Sequence, residues 1–188
     1  MISKIAKNIW KINADSNVYL LDFEDKIIID TGNRAKRHIL KQFLSKLVDF
    51  DKVGIVIFTH LHYDHIGNFD LFSNATLYAS KKEINNLSKN AIDTVLNEDM
   101  AKKFKNAKVE EIPKKISKLE IIETPGHTSG SICVWYDEEK ILFSGDTLFD
   151  RKITGRTDLP TSQSDKMRES LMKLVNYNFK ILCPGHDY

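Results

Sequence analysis

The chain has 188 residues, 41% of them hydrophobic, enough for one domain with a sizeable core. Its 28 Lys and Arg nearly balance 26 Asp and Glu, a formal charge of +2, so charge gives no case for nucleic acid or a membrane surface. No apolar run approaches a membrane span, and those of the first ten residues are too short for a signal peptide, so a cytoplasmic protein is expected.

Residues 2–13 alternate loosely and read as an edge strand. Asn17 to Asp22 and Lys26 to Asp30 flank the turn at Glu24-Asp25 and predict a β-hairpin. Asp30 follows the apolar triplet Ile27-Ile28-Ile29 and either caps a turn or lies beside a functional site. From Arg34 to Phe50, residues Ile39, Leu40, Phe43, Leu44, Leu47 and Val48 recur at helical spacing, which predicts an amphipathic helix laid on a sheet. His38 on that helix has no partner nearby in sequence and reads as a surface residue.

Val53 to Phe58 reads as a buried strand, and Thr59-His60-Leu61-His62-Tyr63-Asp64-His65 follows it at once. Three of the six histidines of the chain fall in this stretch. On an extended backbone His60 and His62 point to one side, Asp64 continues the alternation, and His65 falls out of step. Imidazole and carboxylate are ligands that zinc, iron and manganese accept, and the arrangement suits two adjacent metal ions. Gly67 and Asn68 allow a tight turn into a short helix at 68–72, and 75–79 reads as a strand.

Ser80 to Lys108 is rich in Lys, Asn and Glu with sparse apolar anchors. It predicts helices interrupted by polar residues, which either cap the site or form a plain surface pair. Strands are expected at 108–112 and 118–123. His127 then stands among the turn formers of the loop Thr124 to Ser131. A hairpin of 131–136 and 140–143 ends in Ser144-Gly145-Asp146-Thr147, so Asp146, like Asp30 and His60, follows an apolar strand. A loop at Gly155 to Pro160, a helix at 164–177 and a strand at 180–183 lead into Pro184-Gly185-His186-Asp187-Tyr188. Cys133 and Cys183 lie in apolar runs and read as small core residues; Cys183, three residues before His186, has a place near a metal as its alternative. Strands and helices recur in two such sets, which predicts sheets packed between helices, with the ligand loops at one edge.

The His-x-His-x-Asp-His run at 60–65, Gly-His at 126–127, Ser-Gly-Asp-Thr at 144–147 and Pro-Gly-His at 184–186 stand in the order of the metallo-β-lactamase superfamily. From Asp30 to His186 the chain resembles that family. The resemblance implies an α/β fold over residues 1–188 as one domain, an αββα sandwich of two mixed sheets flanked by helices, with the metals at one edge. It implies one metal on His60, His62 and His127, a second on Asp64, His65 and His186, and Asp146 bridging them. Asp30-Thr31-Gly32 matches a further family signature at a strand end, which places Asp30 behind the metal ligands. Gly145 to Phe149 followed by Gly155 to Pro160 looks most like the glyoxalase II group, the hydroxyacylglutathione hydrolases. The helical C-terminal segment that helps those enzymes bind glutathione has no counterpart before Tyr188, so the likeness is to the short glyoxalase II-like proteins.

The expected chemistry is hydrolysis of a thioester, such as an S-2-hydroxyacyl thiol, by a hydroxide bridging two divalent metal ions. Zinc is the first expectation, with iron or manganese as alternatives. Asp64 is expected to act as a ligand first and to steer a proton second. Arg156 either meets a substrate carboxylate or pairs with Asp158. Tyr188 and Tyr63 either reach the substrate or pack. The rival is a mononuclear iron persulfide dioxygenase using His60, His127 and Asp146; a lactonase or β-lactamase-like hydrolase is the lesser alternative. A small-molecule substrate is expected, with no nucleic acid or membrane partner. The pocket is either open on one side or covered by a second subunit in a homo-oligomer.

Overall fold

The computed structural model describes residues 2–187. Seven strands form the first sheet in sequence order: β1 (Ile2–Ala6), β2 (Ile9–Ala14), β3 (Ser16–Asp22), β4 (Lys26–Ile29), β5 (Val53–Ile57), β6 (Thr76–Ala79) and β7 (Val109–Glu111). The first four pair antiparallel, and β4 to β7 run parallel. The second sheet has the order β12-β11-β10-β9-β8, from β8 (Lys115–Ile116), β9 (Leu119–Glu123), β10 (Ile132–Tyr136), β11 (Ile141–Gly145) and β12 (Ile181–Pro184). There β12 joins β11 in parallel and the other pairs are antiparallel, so both sheets are mixed.

Side-chain alternation builds three apolar layers. Tyr19, Leu21, Ile27 and Ile29 face inward and meet Val134, Phe143 and Cys183 of the second sheet. Leu20, Ile28 and Val56 face outward, under α1 (Arg37–Leu44), whose Leu40 and Leu44 are fully buried. On the far side Cys133, Trp135 and Leu142 pack with Leu174 of α6 (Ser164–Leu174). Helix, sheet, sheet and helix therefore stack as an αββα sandwich. Burial on both faces explains why these strands read as near-continuous apolar runs.

Several boundaries differ from expectation. Residues 2–13 are two strands, not one, because the chain reverses at Asn8 in the left-handed region (φ 62°). The helix expected over 34–50 is a 3-10 turn at 34–36 followed by α1, which stops at Leu44. Leu47 and Val48 stay against the core while the hydrogen bonds tighten to Lys46 N–H on Phe43 O and Leu47 N–H on Leu44 O. The helix expected to Tyr177 ends at Leu174 in the same way. The 80–108 segment is three helices, α3 (Lys81–Lys89), α4 (Ala91–Val95) and α5 (Glu98–Phe104), each opened by a polar cap: Ser80, Asn90 and Asn97. A fourth short helix, a single turn at Tyr63–Ile66, lies in the histidine motif.

Candidate metal centre

The site forms where β5, β9, β11 and β12 end. Thr59 follows β5 and ties the two sheets, its carbonyl accepting the Ile132 N–H at 2.9 Å. Its own N–H and hydroxyl donate to the Asp30 carboxylate, both at 2.8 Å. His62 is still extended (φ −68°, ψ 149°), so His60 and His62 share one side as expected. Asp64 does not continue that alternation. The turn at Tyr63–Ile66 is helical, with the His65 N–H on the His62 carbonyl at 2.9 Å. It is held from outside, because the Thr31 N–H and hydroxyl both donate to the His65 carbonyl, at 2.6 and 3.0 Å. Helical spacing, not strand alternation, therefore aims Asp64 and His65.

Two groups of donors result. In the first, His62 Nδ1 lies 3.0 Å from His60 Nε2 and 3.1 Å from His127 Nε2. His127 Nδ1 donates to the Arg156 carbonyl at 2.8 Å, which leaves Nε2 facing inward. In the second, His65 Nδ1 donates to Asp30 Oδ2 at 2.8 Å, and its Nε2 lies 3.3 Å from His186 Nε2. His186 Nε2 is in turn 3.2 Å from Asp64 Oδ2. Asp146 stands between the groups, with Oδ2 3.4 Å from His127 Nε2 and 3.6 Å from His186 Nε2, and Oδ1 3.3 Å from His65 Nε2. One donor atom each from His60, His62 and His127 lie within 4.8 Å of one another, and so, as separate sets, do those of Asp64, His65 and His186 and those of His60, His65 and Asp146.

The electrostatics divide the histidines. Burial pushes His60 well below the ordinary imidazole range and His62 down to about 3, and it lowers His127 too. His65 and His186 go the other way. Burial opposes the charge on each, but Asp146, Asp30 and Asp64 outweigh it at His65, and Asp64 and Asp146 do so at His186. Burial likewise opposes ionisation of Asp64 and Asp146, yet the neighbouring histidines hold both carboxyls below the usual range.

These residues fit a metal. His62 Nδ1 faces two imidazole nitrogens, and one proton cannot satisfy both contacts. Asp146 Oδ1 is buried and accepts no hydrogen bond of good geometry. A cation relieves both, and a donor set of imidazole nitrogen and carboxylate oxygen suits zinc, iron or manganese. The backbone is shaped around the same atoms: a Cβ at Gly185 would stand 2.1 Å from Asp146 Oδ1 and 2.9 Å from His65 Cε1.

Other expected residues separate. Arg156 is exposed, holds Asp158 with two bonds of 2.7 Å as one of its two expected roles has it, and also lines the cleft over the donors. Tyr63 lines the cleft over the donors, whereas Tyr188 lies outside the described residues. His38 is exposed on α1. Both cysteines are buried and free, and neither belongs to a donor group. One residue was missed. Glu83 of α3 is fully buried and accepts the Leu61 N–H at 2.9 Å and the Thr128 hydroxyl at 2.8 Å, joining the His60–His62 loop to the His127 loop. Burial raises its pKa. The spacing Ser80-x-x-Glu83 marks a helix start, but the side chain leaves the helix for the loops.

The chain matches the profile of the Metallo-beta-lactamase superfamily over residues 13–186. It is 31% identical to a "probable metallo-hydrolase" of Streptococcus pyogenes, over 99% of this chain and 84% of that protein. It is 40% identical to another of Methanocaldococcus jannaschii, over 86% and 70%. A hydroxyacylglutathione hydrolase of Psychromonas ingrahamii is 29% identical, over 97% of this chain and 66% of that enzyme. Among solved structures, a metallo-beta-lactamase family protein of Thermus thermophilus superposes with a TM-score of 0.78 at 20% identity, over 98% of this chain and 75% of that one. The fold found here is thus shared at low identity, the profile match takes in every donor from His60 to His186, and the chain belongs to the metallo-β-lactamase superfamily.

Proposed function

We propose that the protein is a hydrolase that uses two divalent ions to cleave thioesters. The observation that carries this reading is the position of Asp146, which reaches His127 of one donor group and His65 and His186 of the other. In this reading His60, His62 and His127 hold one ion, Asp64, His65 and His186 hold the second, and Asp146 serves both. When bound, such ions lower the pKa of water to about 7 and polarise a carbonyl. The rest falls to the side chains. Asp30 and the Arg156 carbonyl fix the ring orientations of His65 and His127. Asp64 stays ionised beside His65 and His186, so it acts as a ligand, and its low proton affinity suits steering a proton rather than holding one. A thiolate leaves without a proton donor, so a thioester suits a site whose carboxyls are held ionised. Relatives that include a hydroxyacylglutathione hydrolase support the same substrate class.

The persulfide dioxygenase reading needs only His60, His127 and Asp146, and leaves the convergence of Asp64, His65 and His186 without a purpose. The test is metal content of protein purified without added metal and without oxygen, followed by assay on S-lactoylglutathione and other thioesters. About two metals per chain, with hydrolysis lost on chelation, is the expected result. A single iron, with oxygen consumed only when a thiol persulfide is supplied, would overturn it.

A further inference from the structure

The cleft above the donors has a volume of about 550 Å³, within the range of small-molecule pockets. Besides the donor cluster, its lining is mainly apolar: Tyr63, Leu96, Phe149, Ile153 and Leu159 line it, with Thr154, Gly155 and Arg156 beside them. Two of these residues sit where an apolar side chain is costly. Leu96 ends α4 in the left-handed region (φ 60°), a place usually filled by Gly or Asn. Its N–H is fixed on the Ile92 carbonyl at 2.8 Å, and Ile92 itself is 53% exposed. Ile153 is 46% exposed on a loop pinned by the Phe149 N–H on its carbonyl at 2.7 Å. Charge points the same way. Among the described lining residues the only cation apart from histidine is Arg156, and its guanidinium is already bidentate on Asp158. A carrier rich in carboxylates, such as glutathione, would need cations that this lining does not offer.

We infer that this apolar lining is an acyl-chain site, and that the substrate is a thioester carrying an apolar acyl chain packed between Leu96 and Ile153. The inference rests on the hydrolase reading and names the substrate class within it.

The test uses the metal-loaded protein and acyl thioesters of one uncharged thiol, N-acetylcysteamine, from acetyl to octanoyl. kcat/KM should rise about fourfold for each methylene that enters the site. Leu96→Ser and Ile153→Ser should lower the octanoyl rate more than the acetyl rate and so flatten that slope. A slope that is flat in the unaltered protein, or S-lactoylglutathione turned over faster than the octanoyl thioester, would overturn the acyl-chain site. Binding of the matching S-alkyl thioethers, which cannot be hydrolysed, separates the two ideas. Thioether affinity that rises with chain length while no thioester is cleaved would keep the apolar site and overturn thioester hydrolysis. Cleavage without any dependence on chain length would do the reverse.

Discussion

His65 is buried among three carboxylates, and Asp30 behind it sets which of its nitrogens faces the donors. Asp30 holds that place from the left-handed region (φ 55°) at the end of β4, with three hydrogen bonds to its carboxylate. Asp30→Ala should weaken metal binding by about 10- to 100-fold, read by competition with a coloured chelator. Glu83→Ala leaves the buried Leu61 N–H and Thr128 hydroxyl without their acceptor. It should cost about 3 kcal/mol in urea unfolding and weaken the ion on the His60 side. The histidines also set a pH order. In the metal-free protein burial lowers the proton affinity of His60, His62 and His127, whereas carboxylates raise that of His65 and His186. An ion entering beside His65 and His186 therefore meets stronger competition from protons than one beside His60, His62 and His127, and that competition grows as pH falls. Equilibrium dialysis against limiting metal from pH 8 to 5.5 should show occupancy falling from two ions towards one before the remaining ion is lost. Simultaneous loss of both would contradict the assignment. The seven residues that converge here could all be named from residue type and motif order. Glu83 was not, because its partners are 22 and 45 residues away and its local spacing marks only a helix start.

The strands were the clearest elements in the sequence, since burial on both faces makes them short, apolar and β-branched. Their partners were not legible. That β12 lies beside β11, about 40 residues earlier, depends on contacts no local pattern encodes. Helix ends were misjudged where the apolar spacing outlasts the hydrogen bonds, as at Leu47 and Val48. The 80–108 segment was ambiguous for a different reason: its anchors are sparse, and three Asn or Ser caps break it into pieces. It is three helices rather than the pair expected, and part of it reaches the site. Its exposed face is polar apart from Ile92, while Leu96 reaches the cleft and Glu83 the histidine loops. Its strongest anchor is Phe104, fully buried and edge-on to Phe58 and Phe69 at 5.5 and 4.9 Å. Phe104→Ala should cost about 4 kcal/mol in denaturant unfolding and admit protease to the segment before the rest of the chain.

Across the whole molecule, the donors divide between the sheets. His60, His62, Asp64 and His65 follow a strand of the first, and His127, Asp146 and His186 follow strands of the second. An ion held by both groups therefore couples sheet docking to metal binding. Stripping one ion that had been present at about 100 times its dissociation constant should remove about 2.7 kcal/mol. Calorimetry should show that as a fall in Tm of about 5–10 °C. Between the sheets, backbone bonds already run beside the site: Ile132 N–H on the Thr59 carbonyl, and Asn17 N–H on the Gly185 carbonyl at 2.7 Å. The Tyr19 hydroxyl and the Asn17 amide hold the Pro184 carbonyl next to them. These two amides sit on the seam that must part before the sheets can separate. Their exchange with heavy water is consequently a gauge of metal occupancy in solution, slowing when ions load, while the amides of α1, on the outer face, keep their rates.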